Sequence, residues 1–465
     1  MRFLAVRTRA TLIACAVGLG VALASSPALA VGEEITDVRI MGNTRTEEST
    51  VRSVAGVSIG DTLEAGTLDL VRERLNTTGL FSDVNVWWEQ HKTGVRVNIA
   101  IKDKFPWAPV PTGSWSANNR AFGLLFVHGN LFGRGKQLLL GGRIADVDSG
   151  AALGYRDPSF FGTWIYWQLQ GNVQRQDIPE YYPGDRRAAA GAYRSTLLVS
   201  YATEVTLGVA WWRRVRTQVA WRLEQSNLDR SYVPSEAMND PTTTPSTLSA
   251  KTGVGKASLN LDFRAREFSV MTGTVLGGGI DVGRPDFGGD LRFWRVGGGV
   301  QHGVRFFKSH NLVVDAGGTF GKDMPFWMEN TGGGPNLRGY LYQQFRGDTQ
   351  IGAGAEYHFP LFSISSLDFR ALAFYDFQAV WFRDVPTGTP VNGYLPRATP
   401  DQRTFLVDAN GYPQGGGFDL TRDVHQSVGG GLRFFLRSVA VPLIGFDAGW
   451  GIESRSWRFT LVVGA

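Results

Sequence analysis

Leu367-Asp368-Phe369-Arg370-Ala371-Leu372-Ala373-Phe374-Tyr375-Asp376-Phe377-Gln378-Ala379-Val380-Trp381 is the stretch on which the reading of this chain turns. Its odd positions are Leu, Phe, Ala, Ala, Tyr, Phe, Ala and Trp, while its even positions include Asp368, Arg370, Asp376 and Gln378. Successive side chains of a strand point to opposite faces, so one face is apolar and the other carries charge. The pattern recurs. From Leu197 to Trp211 the odd positions are apolar or Thr and the even ones include Ser200, Glu204 and Thr206. Around Thr217–Leu223, Arg216, Gln218, Arg222 and Glu224 fall opposite Val219, Trp221 and Leu223. In a soluble sandwich the apolar face would be the core. Here aromatic residues recur near strand ends, as in the interfacial girdle of a membrane barrel.

Composition points the same way. The 465 residues include 59 Gly, 14 Trp and 29 Phe, with only 19% charged residues. Half of each strand facing lipid and half facing water produces such a balance. The formal charge of +5 is small for the length, and no Lys/Arg cluster is dense enough for nucleic acid. Arg2, Arg7 and Arg9, an apolar run from Leu12 to Ala24, and Ala28-Leu29-Ala30 read as a signal peptide over residues 1–30, cleaved after Ala30. Leu12-Ile13-Ala14-Cys15 offers a lipobox as the competing cleavage, though most of the apolar run follows Cys15. Either signal exports the chain, and cleavage at Ala30 leaves it without a thiol. No later stretch has the ~18 unbroken apolar residues of a spanning helix, so membrane insertion requires a closed barrel.

Sixteen strands are expected, starting near residues 109, 120, 136, 149, 164, 197, 214, 253, 268, 289, 309, 347, 366, 426, 440 and 454. Long polar connections follow the seventh, eleventh and thirteenth strands, at 229–250, 321–346 and 383–425. Gaps after even-numbered strands are short, such as Arg213 alone or 359–365. Long loops of one parity belong to one end, as in outer-membrane barrels with long external loops and short periplasmic turns.

Ahead of the barrel, Ile35–Ile40 alternates and stops at Gly42-Asn43, and Thr46-Glu47-Glu48 opens a helix to about Ala55. Leu68, Val71 and Leu75 share one face of a second helix over Leu63–Thr77. Val84, Val86 and Trp88, then Val95, Val97, Ile99 and Ile101, form two strands about a Lys92-Thr93-Gly94 turn. The order is β-α-α-β-β over residues 33–103, followed by a Pro-containing linker, 104–108, and a barrel over 109–465. One further stretch fits no strand: Gly332-Gly333-Gly334-Pro335-Asn336-Leu337-Arg338-Gly339-Tyr340. It reads as a loop folded back into the barrel, with Arg338 meeting an acidic partner on the inner wall. Asp376 lies on the polar face of its strand and is the first candidate.

The N-terminal segment resembles a polypeptide-transport-associated (POTRA) domain, on its first strand with the Gly42-Asn43 turn and on Leu80-Phe81-Ser82-Asp83-Val84. Gly129-Asn130-Leu131-Phe132-Gly133-Arg134-Gly135, Tyr155-Arg156-Asp157-Pro158-Ser159-Phe160-Phe161-Gly162, Leu337-Arg338-Gly339-Tyr340, Glu356–Leu361 and Phe374-Tyr375-Asp376 follow in order. Together they resemble the BamA/TamA-like outer-membrane assembly factors with a bacterial surface antigen barrel. The resemblance implies a mainly β fold: a 16-stranded antiparallel transmembrane barrel behind one periplasmic POTRA domain. It implies that the loop motif Leu337, Arg338, Gly339 and Tyr340 enters the lumen, with Asp376 and Glu356 as acidic partners. It further implies that the last strand closes the barrel at a seam, and the alternation of that strand turns Trp457, Phe459, Leu461 and Val463 toward lipid. Family members usually end on an aromatic, whereas the last outward position here is Ala465. Pro109 and Pro111, lacking N–H donors, should shorten that seam.

The expected function is insertion of outer-membrane proteins or translocation of a polypeptide. Unfolded outer-membrane or secreted clients, outer-membrane lipid and periplasmic accessory proteins are its partners, with no nucleic acid. With no ATP outside the inner membrane, client folding has to drive the process. A passive pore or surface protein retaining the scaffold is the alternative, and a two-partner-secretion transporter another, although such proteins usually carry two POTRA domains and a plug helix. The six histidines show no paired metal spacing, and there is neither a G-x-S-x-G elbow nor a P-loop. No cofactor, metal or catalytic residue is expected, and no enzyme.

Overall fold

The computed structural model describes residues 32–160, 163–181, 186–188, 191–192, 194–211, 214–232, 248–267, 269–383, 417–436 and 442–464. Residues 1–31, where the signal peptide and Cys15 are expected, the final Ala465 and the middle of the 383–425 connection lie outside them.

The N-terminal domain has β1 (Ile35–Met41), α1 (Glu48–Ala55), α2 (Thr67–Thr77), β2 (Phe81–His91) and β3 (Gly94–Asp103), in the sheet order β1-β3-β2. β1 runs parallel to β3 and β2 antiparallel to it. The alternating residues of β3, Val95, Val97 and Ile99, are fully buried against Val51 of α1 and Val71 and Leu75 of α2. At about 1.5–3 kcal/mol per fully buried aliphatic side chain, these residues account for the domain's cohesion. The α1 helix ends on Gly56, left-handed at φ 62°, whose N–H bonds Arg52 O.

The remaining strands are β4 (Trp107–Trp115), β5 (Arg120–Leu131), β6 (Lys136–Ala145), β7 (Asp148–Asp157), β8 (Ile165–Glu180), β9 (Arg194–Trp211), β10 (Val215–Tyr232), β11 (Leu248–Asp262), β12 (Ala265–Glu267), β13 (Val270–Gly283), β14 (Phe293–Phe306), β15 (His310–Lys322), β16 (Asn330–Gly332), β17 (Phe345–Gly347), β18 (Thr349–Ile364), β19 (Leu367–Trp381), β20 (Val424–Leu436), β21 (Pro442–Gly451) and β22 (Ser456–Val463). A one-turn helix, α3 (Leu420–Asp423), precedes β20. All but β16 and β17 of this set form one closed antiparallel barrel. Both β11 and β12 pair with β13, so together they make one stave of sixteen.

Barrel strand starts fall within a few residues of those expected. Two boundaries differ. β4 begins at Trp107, before Pro109, because its Pro109 and Pro111 sit where β5 is the only neighbour along the ladder. Residues 359–364, expected in a gap, continue β18 against β19 past Pro360 through a register shift. The wall alternates. Phe122, Leu140, Leu153, Leu207, Trp221 and Ile280 are exposed on the outside, while the inward positions of β19 include buried Arg370, Asp376 and Gln378. A continuous exposed apolar belt of this kind is a lipid-facing surface.

The N-terminal domain docks on the first short turn of the barrel, 132–135. Asn130 Oδ1 accepts from Gly135 N–H (2.8 Å), and its Nδ2 donates to Thr46 Oγ1 (2.8 Å). Thr46 Oγ1 in turn donates to Asp103 Oδ1 (2.5 Å). Glu47 N–H donates to Gly133 O (2.9 Å), and Arg134 pairs with Glu47 at 3.0 Å. The short turns and the N-terminal domain therefore share one end of the barrel.

Candidate functional site: the Arg338 loop and the seam

Between β15 and β18 the chain folds into the barrel. Phe326, at the head of a single 3-10 turn, packs with Ile178, Leu198 and Leu228 of the wall, and Trp327 packs against the same cluster. β16 and β17 then pair as a small hairpin of their own. Gly333 (φ 100°) and Gly334 (φ 69°) turn the chain at its tip, a conformation that L side chains rarely adopt. Leu337 N–H closes the turn on Gly334 O (3.0 Å), and Leu337 itself is fully buried.

This geometry delivers Arg338 to the wall. Its Nη2 and Nε donate to Asp376 Oδ1 (2.6 Å) and Oδ2 (3.0 Å), a two-pronged pair, and its backbone N–H also reaches Oδ2 (3.1 Å). Nη1 donates to Glu356 Oε1 (2.6 Å) and lies 3.7 Å from Asp447 Oδ2. The guanidinium stacks over Phe374, 3.4 Å from the ring centroid. Arg338 is 7% exposed and Asp376 4%. The planar fork satisfies a carboxylate at both oxygens, so the loop sits in one register.

The carboxylates are themselves held. Ser427 Oγ donates to Asp376 Oδ2 (2.9 Å), His358 Nε2 lies 2.9 Å from Glu356 Oε2, and Arg433 pairs with Asp447 at 2.7 Å. Gly339 is required by space. A Cβ there would stand 2.4 Å from Gly451 N, and one on Gly449 would stand 2.7 Å from the Arg338 carbonyl carbon. The loop backbone thus lies directly on β21. Tyr340 hydrogen-bonds Glu453 through its hydroxyl, and Phe345 stacks on His425 at 3.5 Å.

Arg338, Asp376 and Glu356 are therefore together, and Leu337, Gly339 and Tyr340 place them. Sequence reasoning missed Asp447, Phe374, Ser427 and Glu453. Phe374 falls on the same even, inward face as Asp376, so the alternation carried a signal for it. Asp447 is flagged by Phe446, Ala448 and Trp450 on either side, which put it inward, but the glycines at 445, 449 and 451 blur that strand.

The seam is short. Among the described residues the ladder between β22 and β4 is Leu461–Trp115, Val462–Ser114 and Val463–Gly113, and Gly464 just beyond it lies against Pro111. Leu461 and Val463 lie in this ladder. Trp457 and Phe459, exposed at 54% and 57%, lie beyond the end of β4. In the other direction, Trp107–Thr112 of β4 extend past β22. A cavity of about 570 Å³ lies between the loop and this seam, lined by Arg338, Tyr340, Glu356 and Asp447 on one side and by Ser114, Val462 and Val463 on the other.

The Omp85 superfamily domain matches residues 130–454 of the chain. The chain belongs to the Omp85 superfamily. The N-terminal segment, residues 33–104, matches the POTRA family described as surface antigen variable number repeat. Solved structures of similar fold include BamA from Haemophilus ducreyi lacking POTRA domains 1–3, at 17% identity and TM-score 0.65, covering 93% of this chain and 84% of that one. CdiB from Acinetobacter baumannii follows at 13% identity and TM-score 0.55, over 93% and 74% of the two chains. CdiB from Escherichia coli has 10% identity and TM-score 0.51, over 96% and 92%. Among proteins with curated functions, none matches this chain in sequence. An Omp85 barrel belongs in the bacterial outer membrane, and the family makes this a protein of polypeptide insertion or translocation.

Proposed function

We propose that this Omp85 protein takes unfolded outer-membrane clients from the periplasm and passes them to its barrel, where they insert at the β4–β22 seam. The observation that carries this reading is the offset seam. Among the described residues three ladder pairs join the strands, and each strand runs on beyond them without ladder partners across the seam. Unpaired strand edges are templates for another strand, and few hydrogen bonds need to break to admit one.

The N-terminal domain is the receiving element, on the periplasmic side where the short turns lie. The start of its β1 is covered by residues 60–63, through Ile35 N–H to Asp61 O (2.7 Å) and Leu63 N–H to Glu33 O (2.9 Å). β2 forms the sheet's other edge and is the site for strand addition by a client. The Arg338 site holds the loop as a brace across the lumen while the seam works. The signal peptide at residues 1–30 delivers the chain, the domain runs over 33–103, and residues 104–106 join it to β4, which starts at Trp107 and so shortens the linker expected over 104–108.

Depletion followed by quantitative proteomics of the outer-membrane fraction tests the reading. A joint fall of many barrel proteins, with unfolded precursors in the periplasm, is the expected result. Loss of one secreted or surface protein would instead make this a dedicated transporter of the two-partner kind, the reading that the fold shared with CdiB favours. A change in small-solute permeability alone would overturn both readings in favour of a passive pore.

A further inference from the structure

The inner wall at the short-turn end carries cations that the Arg338 site does not use. Tyr166 of β8 is buried inside the barrel, and its hydroxyl donates to Gln218 Oε1 of β10 at 2.9 Å, crossing β9 at Gly208, where a Cβ would strike the ring. These contacts fix the inward face of β8 and β10. Arg216, two residues before Gln218, shares its face, and Arg156 of β7, paired with Gln168, stands on it too. The guanidinium of Arg156 lies 4.8 Å from the centroid of the Tyr166 ring. Its Nε is buried without a hydrogen-bond partner.

Arg216 points inward and is nonetheless exposed, as is Gln218, so this end of the lumen is wet. Among the described residues neither Arg156 nor Arg216 has a carboxylate within ion-pairing distance. Asp262, two residues along β11 from Asn260, the ladder partner of Arg216, is already taken by Arg264 at 2.8 and 2.9 Å. Arg264 also reaches Gln301 (3.3 Å), and Arg305, further along the same β14 face, stands half-buried. At this end of the wall Arg156 and Arg216 therefore stand without a paired carboxylate among the described residues, beside the Arg264–Asp262 pair. Deeper in the lumen the sign reverses, with Asp315, Glu356, Asp376 and Asp447 around Arg338 and Arg433.

We infer that this mouth of the lumen is an anion-binding vestibule, in which Arg156 and Arg216 take carboxylates supplied either by free small anions or by acidic side chains of an extended polypeptide. The physical argument is one of sign and solvation. Confined like charges in a low-dielectric wall raise the local concentration of counter-charge. An arginine resting on an aromatic face keeps most of its N–H donors free for a planar oxyanion. The acidic interior beyond would stop such a ligand at the mouth. This inference is independent of seam insertion, because it concerns binding to the purified protein.

The test measures fluorescence anisotropy of labelled oligo-aspartate and oligo-lysine peptides with the full chain in detergent. Oligo-aspartate is expected to bind and oligo-lysine not to, with affinity falling as salt rises. Arg216→Gln, which breaks no side-chain hydrogen bond or ion pair among the described residues, and the double variant Arg156→Gln/Arg216→Gln should weaken binding, the double by about tenfold. Arg72→Gln in the N-terminal domain should leave binding unchanged. Displacement by succinate at similar carboxylate concentration assigns the vestibule to small anions, and its failure to displace assigns it to polypeptide. Equal binding of both peptides, or undiminished binding by the correctly folded Arg216→Gln and double variants, overturns the inference.

Discussion

Arg338 is nearly buried, so its contribution rests on completeness. Removing one member of a dehydrated ion pair leaves the other uncompensated and costs up to about 3–5 kcal/mol. Arg338→Ala should lower the denaturation midpoint of the full protein in detergent, and Arg338→Lys should recover only part, because a point charge cannot bridge Asp376 and Glu356 together. Asp376→Asn should cost more than Glu356→Gln, since Asp376 accepts from Nε, Nη2, the Arg338 backbone and Ser427, whereas Glu356 accepts one Arg338 bond and keeps His358. An equal cost for the two would show that the bidentate geometry contributes nothing. In the N-terminal domain, Arg96 Nε donates to Asp37 at 2.6 Å and holds that carboxyl below its usual range. A lowered folded-state pKa means stabilisation present above the unfolded value of about 3.9 and lost as pH falls through the folded one. Denaturation of wild type and Asp37→Asn should therefore differ at neutral pH and converge in acid.

At the scale of elements, the seam is where sequence and structure part company. Alternation in Ser456–Val463 was legible, because every second residue is aromatic or aliphatic. Register was not. Only the assembled barrel reveals that β22 meets β4 at Gly113–Trp115, leaving Trp457 and Phe459 beyond the ladder. The loop shows the same limit. The glycine-rich stretch was legible as a loop, although its first residue, Gly332, ends β16, and Asp376 followed from the parity of its strand. Asp447 stayed hidden because glycines that admit the loop backbone also erase the hydropathy signal around it. The seam yields a direct prediction. Ser114 and Val462 face each other in the ladder, so Ser114→Cys with Val462→Cys should form a disulfide under oxidation. If clients insert at the seam, the oxidised double variant fails to support assembly and recovers on reduction. Full activity while oxidised would exclude seam opening.

At the scale of the whole molecule, the N-terminal domain meets the barrel through a small interface at the first short turn, beside the strand that begins the seam. The Gly129–Gly135 motif marked the family in the sequence, but its physical purpose appears only in the assembled chain. Asn130 caps the barrel's first short turn and donates to Thr46, which donates to Asp103 at the end of β3. That relay ties the last residue of the N-terminal sheet to the turn beside β4, where the unpaired seam edge begins. Thr46→Val would leave buried Asn130 Nδ2 without its partner, at about 1–3 kcal/mol, while the half-exposed Asp103 oxygen it also frees can turn to water. The Glu47–Arg134 pair is half in solvent and offsets little of that. Distances between spin labels on the N-terminal domain and on an outer-face barrel residue should be narrow in the wild type and broad in Thr46→Val, with the barrel itself still closed. Assembly should slow in proportion if client transfer depends on holding β2 in one place relative to the seam. A broadened distance with unchanged assembly would mean that the domain delivers clients without needing a fixed orientation.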